Sequence, residues 1–201
     1  LTTEFRVDGG IVPAVNGASY EVMPGEILGI VGESGSGKSV TIASALGLLP
    51  SSGKVVSGHA WFEGRDLVTM TQRERNSVLG KDIGLIFQDP MTALNPVMRV
   101  GDQISENLLR HNPTMTRREA ASRVVELLAE VGIPSPDQRA RRYPHEFSGG
   151  MRQRAMIAMA IANRPRLIIA DEPTTALDVT IQAQILDLLR RVQREHDAAL
   201  V

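Results

Sequence analysis

Three short apolar runs show where the chain buries its backbone. Residues 26–31, 83–87 and 167–170 consist mostly of aliphatic side chains and glycine, and each run ends at a polar or glycine-rich segment. Apolar runs of this length, without polar alternation, are typical of strands covered on both faces, as in a parallel sheet. The pattern therefore predicts three buried strands.

Apolar positions at helical intervals predict helices after the first and third runs. A helix is expected over residues 38–49, where Pro50 ends it. After the third run, one apolar helix face is formed by Ile181, Ile185, Leu188, Leu189 and Val192.

The stretch between the second and third runs has helical character. Thr116 and Glu119 have the spacing of a capping box at a helix start. Gly132 and Pro134 end the helix that follows, whose apolar face consists of Ala120, Val124, Leu127, Leu128 and Val131. We therefore predict an α-helical insertion over residues 89–164.

These elements together predict the fold class. Strands and helices alternate at both ends of the chain, which favours an α/β fold around a parallel core sheet. Residues 55–67, which include Trp61 and Phe62, have the character of antiparallel strands beside that core.

Composition narrows the possible functions. The 22 basic residues are balanced by 23 acidic ones, whereas a large nucleic-acid footprint needs a clear basic excess. Cysteine is absent, which fits a cytosolic setting. No apolar run approaches the ~20 residues that span a bilayer, so a membrane role is expected to come through partners.

A phosphate-binding loop follows the first predicted strand. Residues 32–39 match the pattern Gly-x4-Gly-Lys-Ser/Thr, whose glycines let backbone N–H groups curl around a polyphosphate. The next helix presents its positive N-terminus to the phosphates. Lys38 is expected to reach the β- and γ-phosphates, and the Ser39 hydroxyl to bind Mg²⁺. The predicted nucleotide-binding residues here are Gly32, Glu33, Ser34, Gly35, Ser36, Gly37, Lys38, Ser39 and Val40.

A pair of carboxylates follows the third predicted strand. Asp171 and Glu172 stand at its carboxyl end, the edge of the sheet where α/β proteins bind ligands. Asp171 is expected to hold Mg²⁺, and Glu172 to orient and polarise an attacking water. The alternative is a solvated pair that opens the turn at Pro173.

A second candidate anion site lies before a predicted helix over residues 151–163. Ser148, Gly149 and Gly150 provide a hydroxyl, flexible N–H groups and a helix N-terminus. The alternative is that Ser148 is a simple N-cap and the glycines form a loop.

The order of these motifs resembles that of ABC ATPases. The phosphate loop, Gln88, the Ser-Gly-Gly signature, the carboxylate pair and the sequence Ala176-Leu177-Asp178 follow one another as in that family. Residues 87–96 and 143–154 most resemble the ATP-binding subunits of oligopeptide and dipeptide importers. Nickel importers of the same branch share much of both stretches.

The resemblance implies a function for the whole chain, read as one ABC ATPase domain over residues 1–201 that is truncated at its C-terminal end. Two such domains pack head to tail around two ATP molecules, and each ATP lies on the phosphate loop of one domain and under the signature of the other. The insertion over residues 89–164 docks two membrane permease subunits, which work with an extracytoplasmic substrate-binding protein. The domain is then peripheral, at the cytoplasmic face of the membrane, and hydrolyses ATP with Mg²⁺.

The resemblance also implies roles for single residues. Gln88 matches the glutamine that senses Mg²⁺ and water, so it joins Lys38 and Glu172 as a catalytic candidate and Ser39 and Asp171 as a metal ligand. Asp178 matches the aspartate that acts across the dimer. Phe5 is the candidate for stacking on adenine, with Tyr20 as its rival and a core position as the alternative.

The sequence departs from the family pattern at three points. Phe147 and Met151 replace the leucine and glutamine that usually bracket the signature. The family's switch histidine should lie a few residues beyond Val201. His196 precedes the last predicted strand and is expected at the surface, and His59, His111 and His145 are also badly placed for that role.

Other functions remain as alternatives to a transport motor. A soluble ABC ATPase acting on DNA or ribosomes would carry a long coiled coil, yet only sixty positions separate Gln88 from Ser148 and they contain no heptad run. A kinase with a phosphate loop would have no use for the signature. A solvated face or a partner-docking surface is favoured over a nucleic-acid patch for the basic cluster Arg139, Arg141, Arg142, Arg152 and Arg154.

Overall fold

A computed structural model describes residues 1–175 and 177–201. Within it the chain forms two compact units: the first contains Leu1–Glu21 and Leu28–Ser77, and the second contains Val22–Ile27 and Val78–Val201.

The first unit is built on an antiparallel sheet. Strand β1 (Thr2–Val7) lies between β2 (Gly10–Val15) and β3 (Gly53–Ser57), and the short strands β4 (Trp61–Phe62) and β5 (Arg65–Asp66) form a separate hairpin. Antiparallel strands were predicted over residues 55–67, and β3, β4 and β5 confirm them. Helix α1 (Lys38–Ala45) is tied to this sheet by the buried Thr3 hydroxyl, which donates to Ser44 Oγ at 2.8 Å.

Helix α1 ends four residues before the predicted position. Gly47 follows the C-cap with a φ of 65°, and its N–H donates to the Ser44 carbonyl while the N–H of Leu48 donates to the Ala43 carbonyl. This is a Schellman motif, which needs the left-handed conformation that glycine adopts without a steric cost. Gly47, and not Pro50, therefore ends helix α1.

The second unit contains the parallel sheet. Strands β6 (Ile83–Ile86), β7 (Leu167–Ala170) and β8 (Ala199–Leu200) lie side by side in that order, and the register places Ile83 opposite Leu167 and Leu167 opposite Ala199. The parallel core and the antiparallel strands confirm the predicted α/β fold class. Both predicted strands at residues 83–87 and 167–170 are present, the first one residue shorter.

The predicted strand at residues 26–31 is wrong in extent and burial. Ile27 alone forms a parallel bridge, to Leu200; it is 50% exposed and Val31 is 93% exposed. The Leu200 N–H also donates to the Glu26 carbonyl at 2.8 Å, but from Leu28 onward the chain belongs to the first unit, outside the parallel sheet. Apolar composition alone therefore overestimates this strand.

Helices cover the sheet of the second unit. These helices are α3 (Pro90–Ala93), α4 (Val100–His111), α5 (Arg117–Glu130), α6 (Pro136–Ala140), α7 (Gly149–Ile161) and α8 (Val179–His196), whereas α2 (Gln72–Val78) belongs to the first unit except for Val78. Thr116 and Glu119 form the predicted capping box, with bonds of 2.7 and 3.2 Å. The apolar faces of α5, α7 and α8 share one core with β6 and β7. The boundaries 89–164 of the insertion stay a prediction.

His196 is not the surface residue that was expected. Its side chain is 6% exposed, and its Nε2 lies 2.6 Å from Glu130 Oε1. Because an ionised carboxylate can only accept, Nε2 donates this bond. Arg123 approaches the other oxygen of Glu130 at 3.5 Å. The last turn of α8 is therefore joined to the end of α5 by a buried polar contact.

Stability is expected to depend on pH through Glu130. The hydrogen bond from His196 holds the pKa of Glu130 below its ordinary 4.5. A carboxyl with a lowered folded pKa stabilises the protein above its unfolded pKa, and this contribution is lost as the pH falls through the lowered value. The variant E130Q should thus be less stable than the wild type at neutral pH.

Urea unfolding at neutral pH and down through pH 4.5 measures this difference. The gap between the wild type and E130Q should shrink as Glu130 becomes protonated. The matched control is E195Q, on an exposed position of α8, which should follow the wild type. A gap for E130Q that is constant with pH would contradict the assignment.

Candidate functional site

The phosphate loop, residues 32–39, lies in the first unit, and its glycines are required by close backbone contacts. Gly37 is the N-cap of α1 with a φ of 91°, and a Cβ added to it would lie 2.8 Å from the Ala14 carbonyl oxygen. A Cβ on Gly32 would lie 2.7 Å from Ser36 Oγ. Side chains at these positions would fill the space that the loop needs to curl, so the local sequence produces a cradle of N–H groups at a helix N-terminus.

Lys38 is positioned by the loop itself. Its ammonium donates to the carbonyls of Gly32 at 2.8 Å and Glu33 at 3.0 Å. This arrangement holds a positive charge at the mouth of the cradle, beside the N–H groups of the first turn of α1. The predicted loop residues are accessible: residues 32–36 and Ser39 are exposed, and Gly37, Lys38 and Val40 are half-buried. Chemically, this assembly suits a polyphosphate.

The carboxylate pair lies in the second unit, at the carboxyl end of β7. The Asp171 N–H donates to the Ile86 carbonyl at 2.9 Å, so the ends of β6 and β7 are held together. Glu172 has a φ of 45°, a left-handed conformation that costs a residue with a Cβ about 1 kcal/mol or more. Such strain is found where the surroundings fix a side chain for function.

The structure brings Gln88 and Glu172 together. Gln88 follows β6 by two residues, and its Nε2 donates to Glu172 Oε2 at 3.0 Å across a sequence separation of 84. Thr175 Oγ1 donates to the same oxygen at 3.0 Å. Sequence analysis did not single out Thr175; its position three residues after Glu172, at the end of a turn through Pro173, was the available signal.

The donor chemistry of the predicted metal ligands suits Mg²⁺. Ser39 offers a hydroxyl, Asp171 a carboxylate and Gln88 an amide oxygen, and hard divalent cations prefer oxygen ligands. The Gln88 amide nitrogen is committed to Glu172, which orients the side chain and leaves the lone pairs of its oxygen as the acceptor end. Ser39 belongs to the first unit and the other two to the second.

Ser148 has the alternative role considered for it, that of an N-cap. It caps α7, and its Oγ accepts from the Met151 N–H at 3.3 Å. Phe147, which replaces the usual leucine, is buried in the core, and Met151 packs against that core. A cap oxygen and a helix N-terminus leave anion binding chemically possible, so that role stays a prediction for Ser148, Gly149 and Gly150.

Gly150 allows the first turn of α7 to approach α8 closely. A Cβ there would lie 2.9 Å from Ile181 Cγ2, whereas a Cβ on Gly149 would lie 3.6 Å from Leu177 Cδ2, an ordinary contact. Ile181 is β-branched and stiff in a helix. We expect G150A to destabilise the protein by about 1–3 kcal/mol through overpacking, despite the better helix propensity of alanine.

Chemical unfolding of G150A and its matched control G149A tests this contact. G149A should be neutral or slightly stabilising, because alanine favours the helix and the added methyl group fits. Equal stability of the two variants would show that Gly150 is not required by the packing of Ile181.

Asp178 also has a structural role that the structure shows directly. It is the N-cap of α8, and its Oδ1 accepts from the Ile181 N–H at 3.0 Å. The Gln182 side-chain amide holds the preceding segment in place by donating to the carbonyls of Thr174 and Leu177. The action of Asp178 across a dimer stays a prediction, and Ala176 of the same motif lies outside the described residues.

Phe5 packs within its own sheet. Its ring lies over Gly53 of β3, where an added Cβ would be 2.9 Å from Phe5 Cε1. Tyr20, the rival candidate, is 45% exposed. Phe5 is half-buried, which favours the alternative that it is a core residue. Adenine stacking by Phe5 or by Tyr20 stays a prediction.

Members of the basic cluster make contacts within the protein, and the favoured solvated or partner-docking face stays a prediction. Arg152 donates from Nε to the Pro144 carbonyl at 2.7 Å, and Arg154 donates to the Val131 carbonyl at 2.6 Å. Arg142 forms an ion pair with Glu146 at 2.8 Å. The Arg154 contact joins α7 to the end of α5 across 23 positions, whereas the Arg142 and Arg152 contacts are local in sequence.

None of the helices in the described part of the chain is long and apolar enough to cross a bilayer.

Sequence comparison relates the chain to transport proteins. The ABC transporter family model matches residues 15–175. The chain is 53% identical to the oligopeptide transport ATP-binding protein OppD of Bacillus subtilis, covering 100% of this chain and 56% of that protein. It is 52% identical to the dipeptide transport ATP-binding protein DppD of the same organism, covering 100% of this chain and 60% of the relative. The chain thus spans less than two thirds of these relatives.

Structural comparison gives the same fold. A dimeric post-hydrolysis state of the ATP-binding cassette MJ0796, bound to ADP and Pi, superposes with a TM-score of 0.87 at 27% identity, covering 100% of this chain and 83% of the other. The cbiO1 protein of Clostridium perfringens, part of the ABC transporter complex cbiONQ, superposes with a TM-score of 0.75 at 26% identity, covering 98% of this chain and 73% of the other.

Proposed function

Because the chain belongs to the ABC transporter family, we propose that it binds and hydrolyses ATP to power a peptide importer. The observation that supports this proposal most is the hydrogen bond from Gln88 to Glu172 at the ends of two neighbouring strands. It joins two of the predicted catalytic residues. The resemblance to the oligopeptide and dipeptide branch is confirmed by the relatives.

The phosphate loop binds ATP through its β- and γ-phosphates. Backbone N–H groups and the Lys38 ammonium provide donors and positive charge, which charge-assisted hydrogen bonds to phosphate require. When bound, Mg²⁺ neutralises charge that develops on the phosphate oxygens; Ser39, Asp171 and Gln88 would hold it.

Glu172 orients the attacking water and polarises it by accepting a hydrogen bond from its proton. A carboxylate in this role needs a fixed direction, and the bond from Gln88 provides one. Glu172 is thus the residue on which turnover depends, while the phosphate loop determines nucleotide affinity. The signature Ser148, Gly149 and Gly150 contacts the ATP bound by a second ABC ATPase, in a head-to-tail pair.

Membrane partners are proposed from exposed apolar side chains beside Gln88. Phe87 is 50% exposed, Met91 58% and Val97 79%. Three large apolar side chains exposed within eleven positions are a pattern that suits contact with a partner. We propose that two permease subunits dock there, at the cytoplasmic face of the membrane, with an extracytoplasmic binding protein that delivers peptide.

Association that depends on nucleotide tests the shared site. Light scattering would follow the full-length protein with a non-hydrolysable ATP analogue, alone and mixed with a related ATPase subunit of the same transporter. A rise in mass to that of a pair, in either sample, is the expected result. A particle that stays monomeric in both samples at saturating nucleotide would contradict a site completed by a second domain.

A further inference from the structure

Thr175 donates hydrogen bonds to Glu172 from both its backbone and its side chain. The Thr175 N–H donates to the Glu172 carbonyl at 3.3 Å, and the hydroxyl donates to Glu172 Oε2 at 3.0 Å. Pro173 lies between them and has a restricted φ. The turn over residues 172–175 therefore places the threonine hydroxyl against the carboxylate that opens it.

The hydroxyl shares its acceptor with a distant residue. Gln88 Nε2 donates to the same Oε2 at 3.0 Å, from the end of β6. Two neutral donors, one local and one from the neighbouring strand, thus converge on one oxygen. These two hydrogen bonds fix the direction of the carboxylate, which a base needs.

The backbone of Glu172 makes such support necessary. A residue with a Cβ at a φ of 45° is strained, and it keeps that conformation only where its surroundings hold it. The strained backbone after β7, the bond from Gln88 and the bond from Thr175 therefore each restrain the carboxylate.

We propose that Thr175 is a positioning residue for ATP hydrolysis, which with Gln88 holds the Glu172 carboxylate in the orientation that activates water. This inference rests on the proposed function, in which Glu172 acts on the water. It requires a hydroxyl at position 175, so serine should serve and valine should not.

The neighbouring threonine provides a matched control. The Thr174 carbonyl accepts from Leu177 N–H at 3.1 Å and from Gln182 Nε2 at 3.1 Å. Both contacts use the backbone, so T174V preserves them. A change caused only by a β-branched apolar side chain in this turn would therefore affect T174V as well.

Steady-state ATP turnover of the full-length protein with its transporter partners tests the proposal. T175V should lower kcat roughly 3- to 10-fold, the equivalent of one lost hydrogen bond, and leave KM for ATP unchanged. T175S should restore kcat to within about twofold of the wild type, because it keeps the donor, and T174V should match the wild type.

A second comparison uses the background E172Q, in which no carboxylate remains to be oriented. Adding T175V to E172Q should change turnover by less than about twofold, since residues that act as a unit are non-additive. A full repeat of the T175V effect in that background would overturn the proposal, as would wild-type kcat for T175V or failure of T175S to restore it. Normal turnover by E172Q itself would instead refute the role proposed for Glu172.

Discussion

The variant E172Q is expected to lower ATP turnover by roughly 10²- to 10³-fold, the usual contribution of a positioned base. Glutamine has the same shape but does not accept a proton, so the attacking water loses its partner. ATP binding should be retained, because the residues predicted to bind the phosphates are those of the phosphate loop and Lys38. Phosphate release at saturating ATP and equilibrium binding of labelled ATP measure the two properties separately.

The control for this variant is E195Q, which makes the same chemical change on an exposed position of α8. Its turnover should equal that of the wild type. E172Q should also accumulate in the ATP-bound pair, since the step that separates the two domains is blocked. Turnover by E172Q at the normal rate would show that another group activates the water.

The variant K38A is expected to weaken ATP binding roughly 10- to 100-fold, the equivalent of one charge-assisted contact. The Lys38 ammonium lies at the mouth of the phosphate loop, where it donates to the carbonyls of Gly32 and Glu33. Its removal takes away the positive charge that faces the phosphates. A titration with labelled ATP measures the affinity directly.

The matched control is K54A, which removes an exposed ammonium from β3 in the same unit. Affinity for ATP should be unchanged in K54A. If K38A bound ATP as tightly as the wild type, the phosphate loop would not be the nucleotide cradle. The contrast with E172Q is the important point, because one variant should lose affinity and the other should lose turnover.

Local signals explain which parts of the fold were predictable. Both ends of strand β7 were predicted correctly. Its four residues are all aliphatic, and a short apolar run without polar alternation indicates a strand that is covered on both faces. The start of α5 was predictable because the Thr116–Glu119 capping box is complete within four residues.

Features that depend on partners distant in sequence were missed. Residues 26–31 have the composition of a buried strand, yet only Ile27 forms a bridge, to Leu200, and from Leu28 onward the chain belongs to the first unit. His196 was expected at the surface because nothing near it in sequence indicates that Glu130, sixty-six positions away, would bury and pair it.

The candidate site also has features that local sequence predicts and features that depend on distant contacts. The phosphate loop, the carboxylate pair and the signature were predictable because their chemistry requires particular residues at fixed local spacing. The family resemblance implied a role for Gln88, but its bond to Glu172 and the contact between Gly150 and Ile181 were not foreseen. Thr175 was missed because threonine is common in turns for ordinary structural reasons.

The proposed function requires that ATP hydrolysis be coupled to peptide transport. The direct measurement is ATP turnover by the full-length protein, purified and reconstituted with its membrane partners, with and without a mixed peptide pool and its binding protein. We expect peptide with binding protein to raise turnover, and E172Q to abolish the rise. Turnover that is unchanged by peptide in the complete assembly would contradict peptide import, and stimulation by nickel in its place would assign the motor to the other cargo of this branch.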